Sequence, residues 1–297
     1  MVNSEPLNID VLKEHHGSNW SIYHADCIDF SSQCPDECFD FSIYSPPFSN
    51  LYVYSESAND MGNSENDNQF FDHYKILLKE LFRTTKQGRL SCVHCSDIPL
   101  FKWKDGNIGL KDFSGEIIKA HIDQGWIYHT RVTIWKDPVV EMQRTKALGL
   151  LHKQIKKDSS MCRVGMPDYL IVFRKPGENQ EFIKNTNESF PVEKWQNWAS
   201  PIWMDINQGR VLSFRDAKSE KDEKHICPLQ LDVIERCLVL WSNPEDIVFS
   251  PFMGVGSEGY MSIKYNRKFI GTELKESYYK TAMNYLQSTE SQLKMAI

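Results

Sequence analysis

The chain has 297 residues, 34 Lys and Arg against 40 Asp and Glu, a net charge of −6 and 41% hydrophobic residues. That length suits an α/β sheet carrying an inserted lobe and can bury a large core. No window approaches the roughly 18 apolar residues of a membrane span, and the start, Met-Val-Asn-Ser-Glu-Pro, lacks a leader's basic-then-apolar pattern, so a soluble, cytoplasmic protein is expected.

In chain order, residues 19–24 and 39–44 have the apolar, strand-prone character of strands, the second running directly into Ser45-Pro46-Pro47-Phe48. Residues 51–68, rich in Ser, Asn, Asp and Glu, form a predicted loop. Phe70, Tyr74, Leu77, Leu78 and Leu81 then fall at helical spacing over 70–83, and Gly88 leads into a strand at 89–95. Residues 113–125 read as a helix with a glycine stop, 126–135 as a strand, and 166–174 as a further strand closed by Lys175-Pro-Gly. From 177 to about 224 the periodicity fails, with Trp195, Trp198 and Trp203 set among Asn, Gln, Pro and charges. A helix from Pro228, a strand at 246–250, a helix over 257–265, a strand at 268–272 and a terminal helix complete the pattern. The alternation predicts one α/β domain, a doubly wound and mostly parallel sheet.

Eight cysteines are scattered over these elements, which suits reduced and mostly buried thiols. Cys34/Cys38 and Cys92-Val-His-Cys95 invite a zinc reading. In a strand, however, neighbouring side chains alternate between faces, so Cys92 and Cys95 cannot both turn to one metal without a bend, and no metal is expected.

Two strand-then-loop segments carry the chemistry. In each, apolar residues run into Ser-Pro-(Pro)-Phe, where proline's fixed φ and missing N–H stop the ladder and turn the backbone outwards. At the C-terminal one, Phe249-Ser250-Pro251-Phe252-Met253-Gly254-Val-Gly256 continues to Gly259 and spells G-x-G-x-x-G after a strand; Glu273 follows 19 residues beyond the first glycine, where an acid can hold ribose hydroxyls. The four residues between strand and glycines open the turn and favour S-adenosylmethionine over a dinucleotide, and the unit closes the chain without a second nucleotide-binding half. At the N-terminal segment, Ser45 Oγ and the Pro46 carbonyl, stiffened by Pro47, can accept from an exocyclic base amine, while Phe48 stacks on a base swung out of the duplex.

Ser45-Pro-Pro-Phe48 resembles the S/D-P-P-Y/F/W catalytic motif, and residues 249–256 the D-P-F-x-G-x-G cofactor loop, of the S-adenosylmethionine-dependent DNA amino-methyltransferases; catalytic motif first and cofactor loop last is the order of their circularly permuted β class. The resemblance extends to His24-Ala-Asp26-Cys27, whose aspartate it places near the cofactor adenine, and to Lys224-His-Ile-Cys-Pro228-Leu229-Gln230, which it places around the methionine end. It implies a class I methyltransferase fold with a catalytic half over 1–138, a target-recognition region over 139–223 interrupted by a core strand near 166–175, and a cofactor half over 224–297. It implies site-specific methyl transfer from S-adenosylmethionine to a flipped base in DNA, with Ser45 favouring cytosine N4 over adenine N6. A homodimer and a separately encoded restriction enzyme are further expectations.

The departures are Ser250 for an aspartate, Ser257-Glu258 for a Thr-Thr pair, and Cys227 and Gln230 in the His-Pro…Lys-Pro pattern. They keep open a degenerate cofactor- and DNA-binding protein, and a nicotinamide oxidoreductase is a third reading. Despite the acidic average, residues 131–175 hold ten Lys/Arg against four Asp/Glu, which marks a phosphate-facing lobe. Lys153, Lys156 and Lys157 are the expected phosphate contacts, and Gln143, Arg144 and the region of Trp195 and Trp198 the expected base contacts.

Overall fold

The computed structural model describes residues 11–47, 61, 67–213 and 228–295. Its strands are β1 (Lys13–His16), β2 (Trp20–His24), β3 (Phe39–Tyr44), β4 (Thr85–Cys95), β5 (Ile98–Leu100), β6 (Gly109–Lys111), β7 (Ile127–Ile134), β8 (Asp168–Arg174), β9 (Ile202–Trp203), β10 (Ile247–Ser250) and β11 (Lys268–Glu273). The helices are α1 (Cys27–Gln33), α2 (Asp67–Thr84), α3 (Lys102–Asp105), α4 (Phe113–Asp123), α5 (Pro138–Thr145), α6 (His152–Ile155), α7 (Val192–Trp198), α8 (Leu231–Trp241), α9 (Ser257–Lys264) and α10 (Glu276–Met295).

Nine strands form one sheet in the order β1-β2-β11-β10-β3-β4-β8-β7-β9, and β5 and β6 make a separate hairpin. From β2 to β4 the pairings are parallel; β8 is antiparallel to both β4 and β7. Apolar side chains on both faces explain the continuous hydrophobic strands, since each face is covered by helices. Alternation is clean in β8, where Leu170 and Val172 enter the core layer shared with α8, α9 and α10, and Ile171 and Phe173 the layer shared with α1, α2 and α4. Cys92 and Cys95 divide between the same two layers, as the alternation of a strand requires.

The crossing from β10 through α9 leads to β11 on one side, and that from β3 through α2 leads to β4 on the other. The chain therefore diverges at the adjacent strands β10 and β3, and a crevice opens outside their carboxyl ends, where open α/β sheets hold ligands. Glycines shape this end. Gly256 has φ +89°, and a Cβ there would lie 2.9 Å from Ala282 of α10; a Cβ on Gly259 would lie 2.6 Å from the Phe269 ring. Both glycines let α9 pack closely.

Several elements differ from the sequence expectation. β1 is exposed along its whole length, an all-polar edge strand with no apolar alternation to reveal it. α1 follows β2 at once, capped by Asp26. Residues 139–165, to which the sequence assigns no element, are a string of short helical turns, and the helix expected from Pro228 starts at Leu231. Within the stretch after 177, where the sequence shows no periodicity, β9 extends the sheet beside β7, and Trp203 is buried against α8 with Arg236 stacked 4.8 Å from its ring.

Candidate active site

Ser45 follows the last residue of β3, and Pro46 and Pro47 behind it are buried. Ser45 Oγ lies 2.9 Å from His94 Nδ1, on the neighbouring strand β4. The other imidazole nitrogen, Nε2, faces Asp168 Oδ2 at 3.4 Å, an ion-pair distance, and makes no hydrogen bond among the described residues. Asp168 opens β8 and receives Lys136 Nζ at 2.5 Å. Burial pushes the Asp168 carboxyl up, but the Lys136 charge and the His94 contact outweigh it and hold it well below the usual carboxylate range. Ser45, His94, Asp168 and Lys136 thus form a chain across four segments. Sequence reasoning reaches only the first. His94 is hidden in the cysteine pattern, and Lys136 and Asp168 in the charge count; a lone aspartate opening an apolar strand is the available signal.

The glycine loop stands beside this chain. Phe252 touches Tyr44 with ring centroids 5.8 Å apart, which joins the two motif segments side by side. Glu273, at the end of β11, accepts from Gly254 N at 2.9 Å and Lys275 N at 2.8 Å, so the acid bridges the loop and the start of α10. Gly254 has φ +54°, and a Cβ there would meet open space. Ser250 is fully buried, and its hydroxyl has no partner among the described residues. An open glycine turn, an acid within reach of it and an unanswered hydroxyl fit an adenosyl ligand lying across the ends of β10 and β11. Ala25 N donates to Glu273 O at 3.3 Å, bringing Asp26 to the same edge, though Asp26 Oδ1 already caps α1 by accepting from Ile28 N and Asp29 N. Burial raises the Asp26 carboxyl above its usual range. Cys27 and Leu229 are buried, and Pro228 is half-buried ahead of α8.

Phe249 is fully buried and stacks on Phe39 at 4.3 Å, so its ring supports the loop from the core beneath it. Phe48 and Cys227 lie outside the described residues. Glu258, in the first turn of α9, is buried, and desolvation with the nearby Glu273 charge pushes its carboxyl up to about 8. A carboxyl there is neutral at physiological pH.

The basic stretch divides in two. Lys136 is tied to Asp168, Arg163 donates to the buried Glu141 at 3.0 Å, Lys175 is buried and donates to Thr85 O at 2.7 Å, Arg174 binds Gly177 O, and Arg131 lies over the Tyr169 ring. The first four are tied within the fold, whereas Arg131 remains exposed on β7. Arg144, Lys146, Lys153, Lys156 and Lys157, with Gln143, are exposed on and after α5 and α6. Trp195 is 53% exposed, but Trp198 is buried between Lys194 and Arg236 and is withdrawn from base contact.

Residues 39–284 match the family model of the N6/N4 DNA methylases. The type II methyltransferase M1.MboII of Moraxella bovis is 24% identical over 91% of the chain and 97% of its own length, and the DNA adenine methyltransferase YhdJ of Escherichia coli K12 is 24% identical over 90% and 82%. Among solved structures, the cytosine-N4-specific PvuII DNA methyltransferase superposes with a TM-score of 0.67 at 16% identity, covering 95% of this chain and 94% of that one. A DNA modification methylase described as putative, from Thermus thermophilus and solved with S-adenosylmethionine, gives 0.64 at 17% identity over 89% and 93%. With a family match over most of its length and the class I α/β sheet to carry it, the chain belongs to the S-adenosylmethionine-dependent DNA methylases of the N6/N4 family.

Proposed function

We propose that this DNA methyltransferase modifies N4 of cytosine, through Ser45 and the Pro46 carbonyl at the end of β3. The amine of a base is a poor nucleophile because its lone pair is delocalised into the ring. Two acceptors aimed at its hydrogens localise that pair, and the stiff Pro46-Pro47 turn keeps the carbonyl in place without reorganisation. S-adenosylmethionine supplies an electrophilic methyl group on a sulfonium. The residues of the glycine loop with Glu273 hold the adenosyl part, and Asp26 stands near the adenine. Phe48 stacks on the flipped base, a role for a residue outside the described segments. The exposed cations after α5 and α6 bind phosphate, and Gln143 and Arg144 read base edges.

The observation that carries the reading is the contact between the two motif segments, Tyr44 against Phe252, which brings Ser45 beside the glycine loop. Preference for cytosine rests on serine at position 45, the residue that in this family usually accompanies N4 methylation. Similarity to an adenine methyltransferase favours N6-adenine as the second reading. Plasmid DNA incubated with the protein and labelled S-adenosylmethionine, digested to nucleosides and analysed by mass spectrometry, decides. Labelled N4-methylcytosine is expected; N6-methyladenine alone would overturn the cytosine assignment.

A further inference from the structure

Ser45 carries the amine-acceptor role proposed above, but a hydroxyl donates as readily as it accepts. What fixes its direction is on the neighbouring strand. His94 Nδ1 lies 2.9 Å from Ser45 Oγ, Nε2 faces the Asp168 carboxylate at 3.4 Å, and Lys136 Nζ closes the chain at 2.5 Å from that carboxylate. His94 and Asp168 are 7% and 6% exposed, so bulk water does not compete for them. The groups facing the imidazole are Ser45 from β3 and Asp168 from β8, the latter paired with Lys136 from the segment after β7.

We infer that His94, braced by Asp168 and Lys136, is a positioning residue that turns the Ser45 hydroxyl into an acceptor for the target amine and receives the proton that methylation releases. The inference rests on the methyl-transfer reading. With the hydrogen on Nε2 directed at the Asp168 carboxylate, Nδ1 accepts the Ser45 O–H, and the lone pairs of Oγ are left for an amine hydrogen. As the amine nitrogen forms its bond to the methyl carbon and the sulfonium–methyl bond breaks, the nitrogen gains the positive charge that the sulfur loses. An amine proton then passes to Ser45 Oγ while the Ser45 proton passes to Nδ1. The imidazolium so formed lies against the Asp168 carboxylate and later returns its proton to water, leaving the methylated base neutral.

Serine, histidine and aspartate also make the constellation of acyl-transfer hydrolases. Here Ser45 is followed by two prolines, so the backbone N–H after the serine that often helps bind a developing oxyanion is missing. The same two prolines leave the Pro46 carbonyl as an acceptor. The segment is therefore suited to a donor-rich substrate such as an amine and unsuited to an oxyanion.

The test is single-turnover DNA methylation against pH by the full-length protein with saturating S-adenosylmethionine, comparing wild type, His94→Gln and Asp168→Asn. In wild type the rate should fall on the acid side, because protonated Nδ1 donates to Oγ and turns the hydroxyl hydrogen towards the amine. His94→Gln should slow the step by about tenfold to a thousandfold and abolish the acid limb, while S-adenosylmethionine and DNA affinities stay within about twofold. Nitrogen-15 NMR of the histidines gives a readout independent of activity and needs no His94 variant to fold: Ser45→Ala should shift the His94 Nδ1 resonance. A His94→Gln protein with wild-type rate, a slow variant that keeps the acid limb, or an unmoved Nδ1 resonance would overturn the inference. A wild-type protein that transfers no methyl group to DNA would instead refute the functional reading.

Discussion

The two ends of strands β3, β4 and β10 each hold buried charge, and they are built differently. At the amino ends, Arg89 ties the strands together: its guanidinium pairs with Asp246 and donates to Asp40 O at 2.8 Å, Lys86 reaches Asp40 at 2.7 Å, and Ile247 N donates to Asp40 at 2.9 Å. At the carboxyl ends, the chain from Lys136 through Asp168 and His94 stops at Ser45, where the crevice begins. Even the carboxyls differ. Burial pushes Asp246 up despite Arg89, whereas Lys136 overrides burial at Asp168 and holds it down. A closed network secures the sheet, and a network with one free end can act on something brought to it.

The largest effect expected from breaking this contrast is at the closed end. Arg89→Leu leaves the buried Asp246 carboxyl without its cation and should destabilise the fold by about 3–5 kcal/mol, measured by urea denaturation. At the open end, Ser45→Ala should lower kcat by roughly ten- to a thousandfold while the urea midpoint and S-adenosylmethionine affinity barely move. Equal stability losses in the two variants would erase the distinction.

Glu258 sharpens it through pH. With its folded carboxyl at about 8 against 4.5 unfolded, the native state keeps a proton that the unfolded chain has lost, so stability should fall as pH rises between those values. Glu258→Gln should remove that decline, a gain on the order of 2–4 kcal/mol above about pH 8 in thermal melts; an unchanged slope would place the titration elsewhere. For the cofactor, Glu273→Ala should weaken S-adenosylmethionine binding by about 2 kcal/mol in calorimetry. The smallest effect lies at the surface. Neutralising Lys153, Lys156 and Lys157 together should flatten the salt dependence of DNA binding by up to about one unit of log–log slope per lost phosphate contact and leave sequence choice intact.

The sheet is readable where burial imposes a pattern. β3, β8, β10 and β11 are short apolar runs between turn residues, and α2 and α8 show helical spacing over several turns. β1 escapes because an exposed edge strand carries no alternation, and α1 because its cap, Asp26, sits in a motif that points to a ligand contact. A charge count cannot by itself locate a DNA-facing surface, because it weighs Lys136 and Lys153 alike, although one is clasped by a carboxylate and the other faces water. Ser45, Gly254 and Glu273 stand out because loop chemistry is local in sequence. His94 and Asp168 do not, because their meaning comes from strand neighbours 49 and 123 positions from Ser45.

The register of β3 against β10, Phe41 beside Val248, also governs how the protein is made. A nascent chain synthesises β3 about two hundred residues before its neighbour β10, so β3 must wait with one edge unpaired and both faces apolar. Such an edge is a template for pairing with other chains. Ribosome-bound intermediates should thus need shielding until β10 emerges, and Ser45 and the glycine loop can come together only after that strand is made.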